Sequence, residues 1–395
     1  MLFRSQLYLY DLEGKLLRRL TEGAFPVVQV VAVDERARWV YFTAHGEPQR
    51  PYDTHLYRVN LEGKGFTRLT EATGQHDLQL FGDVILQIQF SPSKQFFLDT
   101  HSSVDRPPAV ELRSADGKLL QILSKANIDA LKELKWSPPE EFVVKAADGK
   151  TDLYGVLYKP YDFDPKKKYP VIDRIYGNPW VAVVSRTFTP AGPAFYAQAL
   201  AQLGFIVFMV DGRGTPERSK EFHDADYGNW GRSVIPDHVA ALKQLAEERP
   251  YMDLSRVGIF GHSAGGGMTI RAMLVAPEIY HVGVASAAGP GPCQNIGGIL
   301  FESYIGLPQN NIQGYDSACL LRLAGNLKGK LLLITMTSDV GAPIGAIMKL
   351  LEAFIRAGKP YDLILLPEQG HSPSGASRTY RSDAIRRYFQ EHLKP

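Results

Sequence analysis

A glycine-rich run in the second half of the chain carries the strongest structural signal. It reads Val257-Gly258-Ile259-Phe260-Gly261-His262-Ser263-Ala264-Gly265-Gly266-Gly267. The run begins with the apolar residues of a buried strand, and residues 266–276 have the composition of a helix. Between the two lies G-x-S-x-G, centred on Ser263. The sequence therefore predicts a tight strand-to-helix turn that exposes a serine hydroxyl.

The residues around this turn alternate between two patterns. Short apolar runs, which predict buried strands, occupy residues 171–176, 205–210, 257–260, 331–336 and 363–366. Helical stretches occupy residues 197–203, 235–248, 266–276, 344–357 and 377–393. Alternating strands and helices favour a parallel sheet flanked by helices. With the serine turn, they predict an α/β-hydrolase domain.

A serine hydroxyl needs an adjacent base to act as a nucleophile near neutral pH. In an α/β-hydrolase the acid and then the histidine follow the serine along the chain. His371 follows the predicted strand 363–366, at the edge of the sheet where such folds assemble their sites. His281 comes too soon after Ser263, and His392 lies near the end of the last helix. His371 is therefore the expected base.

The acid that orients the histidine must also come from the edge of the sheet. Asp339 directly follows the predicted strand 331–336, so it is the expected acid, and Asp362 is the second choice. The backbone N–H of Ala264 is one expected donor to the oxyanion. The second donor is either the Tyr176 hydroxyl or the backbone of residues 177–178, and the residues alone leave these two alternatives open.

The first 125 residues contain three copies of a hairpin pattern. The copies are Leu12-Glu13-Gly14-Lys15, Leu61-Glu62-Gly63-Lys64 and Ala115-Asp116-Gly117-Lys118, and in each a leucine lies six residues after the glycine. The glycines are 49 and 54 residues apart, a period that indicates propeller blades. The expected organisation is a partial β-propeller of about three blades over residues 1–130 and an α/β-hydrolase domain over residues 131–395. Three blades cannot close a ring, so either a longer propeller exists or the open ends are covered in another way.

Composition narrows the function classes. The 395 residues are 45% hydrophobic and 22% charged, with a formal net charge of +2, so no nucleic-acid partner is expected. No apolar run resembles a signal peptide or a membrane span, which predicts no membrane insertion and leaves the compartment open, with the cytoplasm as the default. Cys293 and Cys319 are too few for a zinc site, and free buried thiols are favoured over one disulfide.

Together these features resemble the prolyl oligopeptidase family of serine peptidases, specifically its dipeptidyl peptidase IV branch. The resemblance covers nearly the whole chain and rests on the repeats and on the motifs Ala147-Asp148-Gly149, Lys168-Tyr169-Pro170-Val171, Tyr176-Gly177-Asn178-Pro179, Asp211-Gly212-Arg213-Gly214, Gly261–Gly266, Tyr304-Ile305-Gly306 and Gly370-His371. It implies a β-propeller joined to an α/β-hydrolase that cleaves short peptides, often after proline. It also implies that Ser263, Asp339 and His371 form the triad and that the Tyr176 hydroxyl donates to the oxyanion.

Several residues depart from that family pattern. Ala264 stands where the branch usually has tyrosine, and Val340-Gly341-Ala342 replaces its Asp-Asn-Val. Ile296 and Leu300 stand where pocket tyrosines are expected, so the candidate substrate pocket is Ile296, Leu300 and Tyr304. The glutamate pair that grips a free amino terminus belongs to the propeller part that is absent here.

The sequence therefore predicts a serine peptidase that hydrolyses short peptides by acyl transfer, with no cofactor or metal. An esterase or acylaminoacyl-type hydrolase of the same fold is one alternative. An inactive remnant that acts as a binding module is another, since unclosed blades expose strand edges. Those edges also leave a homodimer as an open alternative.

Overall fold

The computed structural model describes residues 6–23, 25–76, 78–79, 85–86, 88–184, 186–188, 195–293 and 298–394. These residues form two units. One contains residues up to 138, the described residues among 185–195, and residues 216–221. The other contains the remaining described residues from 139 onward.

The first unit is built from antiparallel sheets. Its strands are β1 (Tyr8–Tyr10), β2 (Leu16–Arg19), β3 (Val27–Asp34), β4 (Trp39–Ala44), β5 (His55–Asn60), β6 (Thr67–Arg68), β7 (Leu78–Gln79), β8 (Ile85–Leu86), β9 (Gln89–Phe90), β10 (Phe96–His101), β11 (Ala109–Ser114) and β12 (Leu119–Lys125), followed by the short helix α1 (Asp129–Glu133). Strands β3–β6 and β9–β12 form two four-stranded sheets in which chain neighbours pair. Pairs β1–β2 and β7–β8 form two-stranded sheets. Such four-stranded meanders are the expected form of propeller blades.

The three sequence repeats occupy equivalent hairpins. Their glycines lie in the turns β1–β2, β5–β6 and β11–β12, and all three have positive φ. A Cβ on Gly63 would lie 3.1 Å from the Arg19 carbonyl oxygen, and one on Gly117 would lie 2.6 Å from the Leu69 carbonyl oxygen. The turns of Gly63 and Gly117 thus pack on the backbone at or beside the repeat leucine of the preceding copy, and these leucines, Leu20 and Leu69, are buried. In these two copies the repeat forms a contact between consecutive sheets.

The second unit centres on an eight-stranded sheet in the order β13-β14-β16-β15-β17-β18-β19-β20. Its strands are β13 (Glu140–Lys145), β14 (Asp152–Tyr158), β15 (Tyr169–Arg174), β16 (Ile206–Val210), β17 (Met252–His262), β18 (Val282–Ser286), β19 (Lys330–Met336) and β20 (Asp362–Leu366). Strands β13, β14 and β16 pair antiparallel, and the pairings from β16 through β20 are parallel. The predicted parallel sheet is confirmed, although the sequence analysis did not anticipate β18.

Helices accompany this sheet. They are α2 (Phe195–Ala201), α3 (Lys220–His223), α4 (Val234–Glu248), α5 (Ala264–Val275), α6 (Ile299–Ile305), α7 (Ile312–Ala318), α8 (Ile344–Arg356) and α9 (Gly375–Leu393). Eight residues of helix α5 are buried, including Met268, Ile270 and Leu274. Strand β17 ends where α5 begins, so the central strand and the central helix fix the position of the serine turn.

No helix among the described residues is both long and apolar enough to cross a membrane.

Cys293 and Cys319 form a disulfide, so the expectation of free thiols was wrong. The bridge spans 26 residues of sequence and closes a loop that includes α6 and α7. Closing a loop of that length reduces the conformational freedom of the unfolded chain, which stabilises the folded state by about 3 kcal/mol.

We expect the Cys293→Ser/Cys319→Ser double variant to unfold at a temperature several degrees lower than the wild type, as measured by thermal denaturation. Reductant should lower the midpoint of the wild type but not that of the variant; identical midpoints for both proteins would contradict the prediction.

Candidate active site

Ser263 lies at the turn between β17 and α5 with φ 61° and ψ −125°. A positive φ is costly for a residue with a Cβ, and such strain collects at functional sites. The turn is held by backbone, because the Ser263 N–H donates to the Ser286 carbonyl at 2.9 Å and the Gly267 N–H donates to the Ser263 carbonyl at 3.1 Å. The serine is therefore fixed at the carboxyl edge of the sheet.

The flanking glycines of the motif are required by close backbone contacts. A Cβ on Gly261 would lie 2.0 Å from the Gly265 carbonyl oxygen, and one on Gly265 would lie 2.4 Å from the Ile175 carbonyl oxygen. Both distances are far below van der Waals contact. The first glycine lets the helix start directly on the strand, and the second lets the end of β15 approach the turn.

His371 and Asp339 complete a hydrogen-bonded chain with the serine. His371 Nε2 lies 2.8 Å from Ser263 Oγ, and His371 Nδ1 lies 2.8 Å from Asp339 Oδ2. With the Nδ1 proton directed at the carboxylate, Nε2 is the acceptor that faces the serine hydroxyl. The structure thus brings together three residues that the sequence analysis selected from separate loops.

The loops that carry His371 and Asp339 are bonded to each other. The Ser338 N–H donates to the Gln369 carbonyl at 3.0 Å, and the Glu368 N–H donates to Thr337 Oγ1 at 2.8 Å. These bonds join the residues after β19 to the residues after β20. The two side chains therefore keep a fixed separation.

The Asp339 carboxylate is buried and oriented by backbone donors. Its side chain is fully shielded from solvent, and Oδ1 accepts from the Gly341 N–H at 2.8 Å and the Ala342 N–H at 2.9 Å. These backbone donors hold the carboxylate in the orientation in which it contacts His371 Nδ1. The second-choice acid, Asp362, instead accepts from the Tyr388 hydroxyl at 2.6 Å, so it has a different partner.

The backbone segments that carry the expected oxyanion donors lie next to the serine turn. Ala264 is the first residue of α5, and the N–H groups of a first helical turn have no partner within the helix. The end of β15 is close as well, because a Cβ on Gly265 would lie 3.0 Å from the Tyr176 Cα. Both regions named in advance therefore adjoin the turn.

His262, next to the serine in sequence, was missed as a site neighbour. Its ring lies 5.2 Å from the His371 ring, centroid to centroid. Nδ1 lies 3.1 Å from Ser286 Oγ and 3.3 Å from Arg381 Nη1. Burial, reinforced by the positive charge of Arg381, lowers the pKa of His262 to about 3. The imidazole beside His371 is therefore neutral near neutral pH.

Because of this lowered pKa, His262 makes the free energy of unfolding decrease at acid pH. As the pH falls below about 6.5, the unfolded chain binds a proton that the folded chain excludes until about pH 3. The contribution of neutral His262 to the free energy of unfolding is therefore complete above pH 6.5. It decreases as the pH falls, by up to about 1.4 kcal/mol per pH unit. Between pH 6 and pH 4, urea unfolding should show a stability loss about 2 kcal/mol smaller in His262→Gln than in the wild type. Parallel losses would contradict the prediction.

The three candidate pocket residues have different surroundings. The Tyr304 ring lies 5.6 Å from the Trp180 ring and 6.2 Å from the Trp230 ring, centroid to centroid. Leu300 is about half exposed, at 51%, and Ile296 lies outside the described residues. The two tryptophans were missed because their contact with Tyr304 joins residues far apart in sequence.

The parallel sheet, the strained serine turn and the hydrogen-bonded chain of Ser263, His371 and Asp339 are features of the α/β-hydrolase class of folds. Within that class, the prolyl oligopeptidase family model matches residues 193–395. A model of the dipeptidyl peptidase IV N-terminal region matches residues 4–108. The chain therefore belongs to the prolyl oligopeptidase family, in its dipeptidyl peptidase IV branch. The expected fold class, a partial propeller followed by an α/β-hydrolase domain, is confirmed.

Curated relatives and solved structures agree with this assignment. The chain is 33% identical to human dipeptidyl peptidase 8 over 353 residues, covering 87% of this chain and 38% of the relative. A putative dipeptidyl aminopeptidase IV from Bacteroides ovatus has a TM-score of 0.82 at 30% identity, covering 96% of this chain and 52% of that one. Porphyromonas gingivalis dipeptidyl peptidase 4 has the same TM-score at 26% identity, with 98% and 53% coverage. The chain thus spans little more than a third of the curated relative and about half of each solved structure.

Proposed function

We propose that the chain is a serine peptidase that hydrolyses short peptides by acyl transfer, with Ser263, His371 and Asp339 as its catalytic triad. The observation that carries the proposal is the unbroken hydrogen-bonded chain of 2.8 Å contacts from Ser263 Oγ through His371 to Asp339. A nucleophile, a base and an orienting acid in contact are the requirement for this chemistry. The names of the relatives, which are dipeptidyl peptidases, agree with it.

The geometry assigns a step to each residue. Ser263 Oγ attacks the scissile carbonyl carbon while His371 Nε2 takes its proton, and Asp339 stabilises the resulting imidazolium. The oxyanion is bound by the Ala264 N–H and the Tyr176 hydroxyl. His371 then gives its proton to the leaving amine, which leaves an acyl group on Ser263. Water, activated by the same histidine, releases the acid product.

The free amino terminus of a peptide substrate is bound by carboxylates, and Glu140-Glu141 is an adjacent glutamate pair in this chain. Glu140 Oε1 lies 2.7 Å from Arg249 Nη2, and Glu140 Oε2 lies 2.5 Å from Lys159 Nζ, so this glutamate is engaged in an ion-pair network. A second candidate is therefore a hydrolase of esters or of peptides with blocked amino termini. The small Ala264 side chain and the exposed Leu300 favour a broad acyl site.

Chromogenic substrates separate the two candidates. Aminoacyl and dipeptidyl p-nitroanilides with free amino termini would be compared with their acetylated forms and with p-nitrophenyl esters. Strong preference for free amino termini supports a dipeptidyl peptidase. Equal or greater turnover of blocked substrates supports the second candidate.

The β12 edge is a candidate surface for a homodimer. Strand β12 is at the edge of its sheet, and Leu119, Leu120, Ile122 and Leu123 are each 42–47% exposed. An exposed apolar edge strand pairs readily with another chain. We expect concentration-dependent dimers in sedimentation velocity and their loss in Leu120→Lys, which places a charge on the edge. A monomer at every concentration would refute this interface.

A further inference from the structure

A buried polar cluster lies on one face of the sheet formed by β9–β12, and nothing in the hydrolytic chemistry uses it. Asp99 and His101 are two residues apart on β10, so their side chains point to the same face. Glu111 on β11 pairs in register with Asp99. The exposed fractions of the three residues are 0%, 4% and 8%. Two carboxylates thus face each other across the ladder in a buried setting, which requires positive charge nearby.

Arg113 supplies part of that charge and leaves one carboxylate oxygen open. Its Nε and Nη2 both donate to Glu111 Oε2, at 3.0 and 2.7 Å. Its Nε also lies 3.4 Å from Asp99 Oδ2. Glu111 Oε1 has no part in the Arg113 contacts.

His101 faces that open oxygen. Its Nε2 lies 3.3 Å from Glu111 Oε1 without hydrogen-bond geometry, and neither ring nitrogen forms a hydrogen bond with any described residue. A buried polar group without a partner is unfavourable, because it has lost its hydrogen bonds to water. A metal ion between these groups would give the His101 imidazole and Glu111 Oε1 a common partner.

We propose that Asp99, His101 and Glu111 form a binding site for a divalent transition metal such as Zn²⁺. One ligand atom from each residue lies within 4.8 Å of the other two. Two ligands of one tetrahedral ion, each about 2.0 to 2.2 Å from it, are about 3.3 to 3.6 Å apart. His101 Nε2 and Glu111 Oε1 already lie 3.3 Å apart, and the Asp99 oxygen must lie equally close when the ion is bound. The mixed imidazole and carboxylate set suits zinc better than calcium or magnesium, which take oxygen ligands. The site ties β10 to β11.

His76 orients the carboxylate from the other side. Its Nδ1 lies 2.8 Å from Asp99 Oδ1, and its Nε2 lies 2.6 Å from the Ala72 carbonyl. A carboxylate that ligates a metal is commonly held by such an outer hydrogen bond. The His76 ring also lies 5.1 Å from the His101 ring, which limits how far His101 can turn.

The test is isothermal titration calorimetry, in which zinc is added to the full chain after a chelator has removed any bound metal. We expect one zinc ion per chain in the wild type and at least 100-fold weaker binding in His101→Phe. His55→Phe is the matched control, because His55 is also buried in this unit but contacts Thr70 Oγ1 at 3.1 Å instead. It should bind zinc as the wild type does. All titrations are repeated in a His371→Phe background, which removes zinc binding at the hydrolytic histidine.

No stoichiometric zinc binding, or equal affinity in His101→Phe and the wild type, would overturn the proposal. If His101→Phe does not fold, Glu111→Gln provides the same comparison. Anomalous scattering at the zinc absorption edge, measured on crystals of the wild type, locates the ion without the use of any variant. An ion between Asp99, His101 and Glu111 supports the site, and zinc found only elsewhere refutes it.

Discussion

Replacing Ser263 by alanine is expected to abolish labelling by a fluorophosphonate probe and to lower peptide turnover by about 10⁴- to 10⁶-fold. The probe reacts only with a serine whose hydroxyl is activated by a base. Here the base is in place, since His371 Nε2 lies 2.8 Å from Ser263 Oγ and Asp339 fixes the opposite ring nitrogen. Without the hydroxyl no acyl intermediate can form, although the oxyanion donors remain.

The matched control for this variant is Ser255→Ala. Ser255 lies on the same strand, β17, but its exposed hydroxyl contacts only Asp253 in the described structure, at 2.6 Å. Labelling and turnover should therefore stay at wild-type levels. Near-full activity of Ser263→Ala would remove Ser263 from the mechanism. A folded wild type that resists the probe would instead favour the inactive-remnant alternative.

The sequence predicted those parts of the site that depend on local geometry and chain order. The G-x-S-x-G turn identified Ser263 because the turn needs its glycines, and the order serine, acid, histidine then selected Asp339 and His371. Both residues also directly follow apolar strands, which predicted that they lie at the same edge of the sheet. Chain order alone sufficed because parallel strands all end at one edge of the sheet.

Features that depend on packing between distant segments could not be predicted in this way. Strand β18 is short and includes Gly283 and Ala285, so its burial comes from its neighbours rather than from its own pattern. The lowered pKa of His262 comes from its burial and from the charge of Arg381, which is 119 residues away. The cluster of Asp99, His101 and Glu111 becomes visible only when the register of β10 and β11 is known. In each case the deciding contact is tertiary.

The second large effect concerns the turn itself, where Gly261→Ala is expected to prevent stable folding of the hydrolase unit. The new Cβ would lie 2.0 Å from the Gly265 carbonyl oxygen and 2.2 Å from its carbonyl carbon. These are backbone atoms of α5, so no side-chain rotation can relieve the clash. Either β17 or α5 must move, and both lie in the core. We expect a loss of more than about 4 kcal/mol, which belongs to the severe end of single substitutions.

Gly267→Ala separates this steric requirement from a general effect of adding a methyl group. Gly267 lies in the first turn of α5, only six residues further on, and a Cβ there would meet nothing within 4 Å. Alanine also favours the helix by up to about 1 kcal/mol. Urea unfolding and fluorophosphonate labelling should therefore show a stable, labelled Gly267→Ala and an unfolded or unlabelled Gly261→Ala. If both variants were equally stable and labelled, the turn would not have the geometry that places Ser263 against His371.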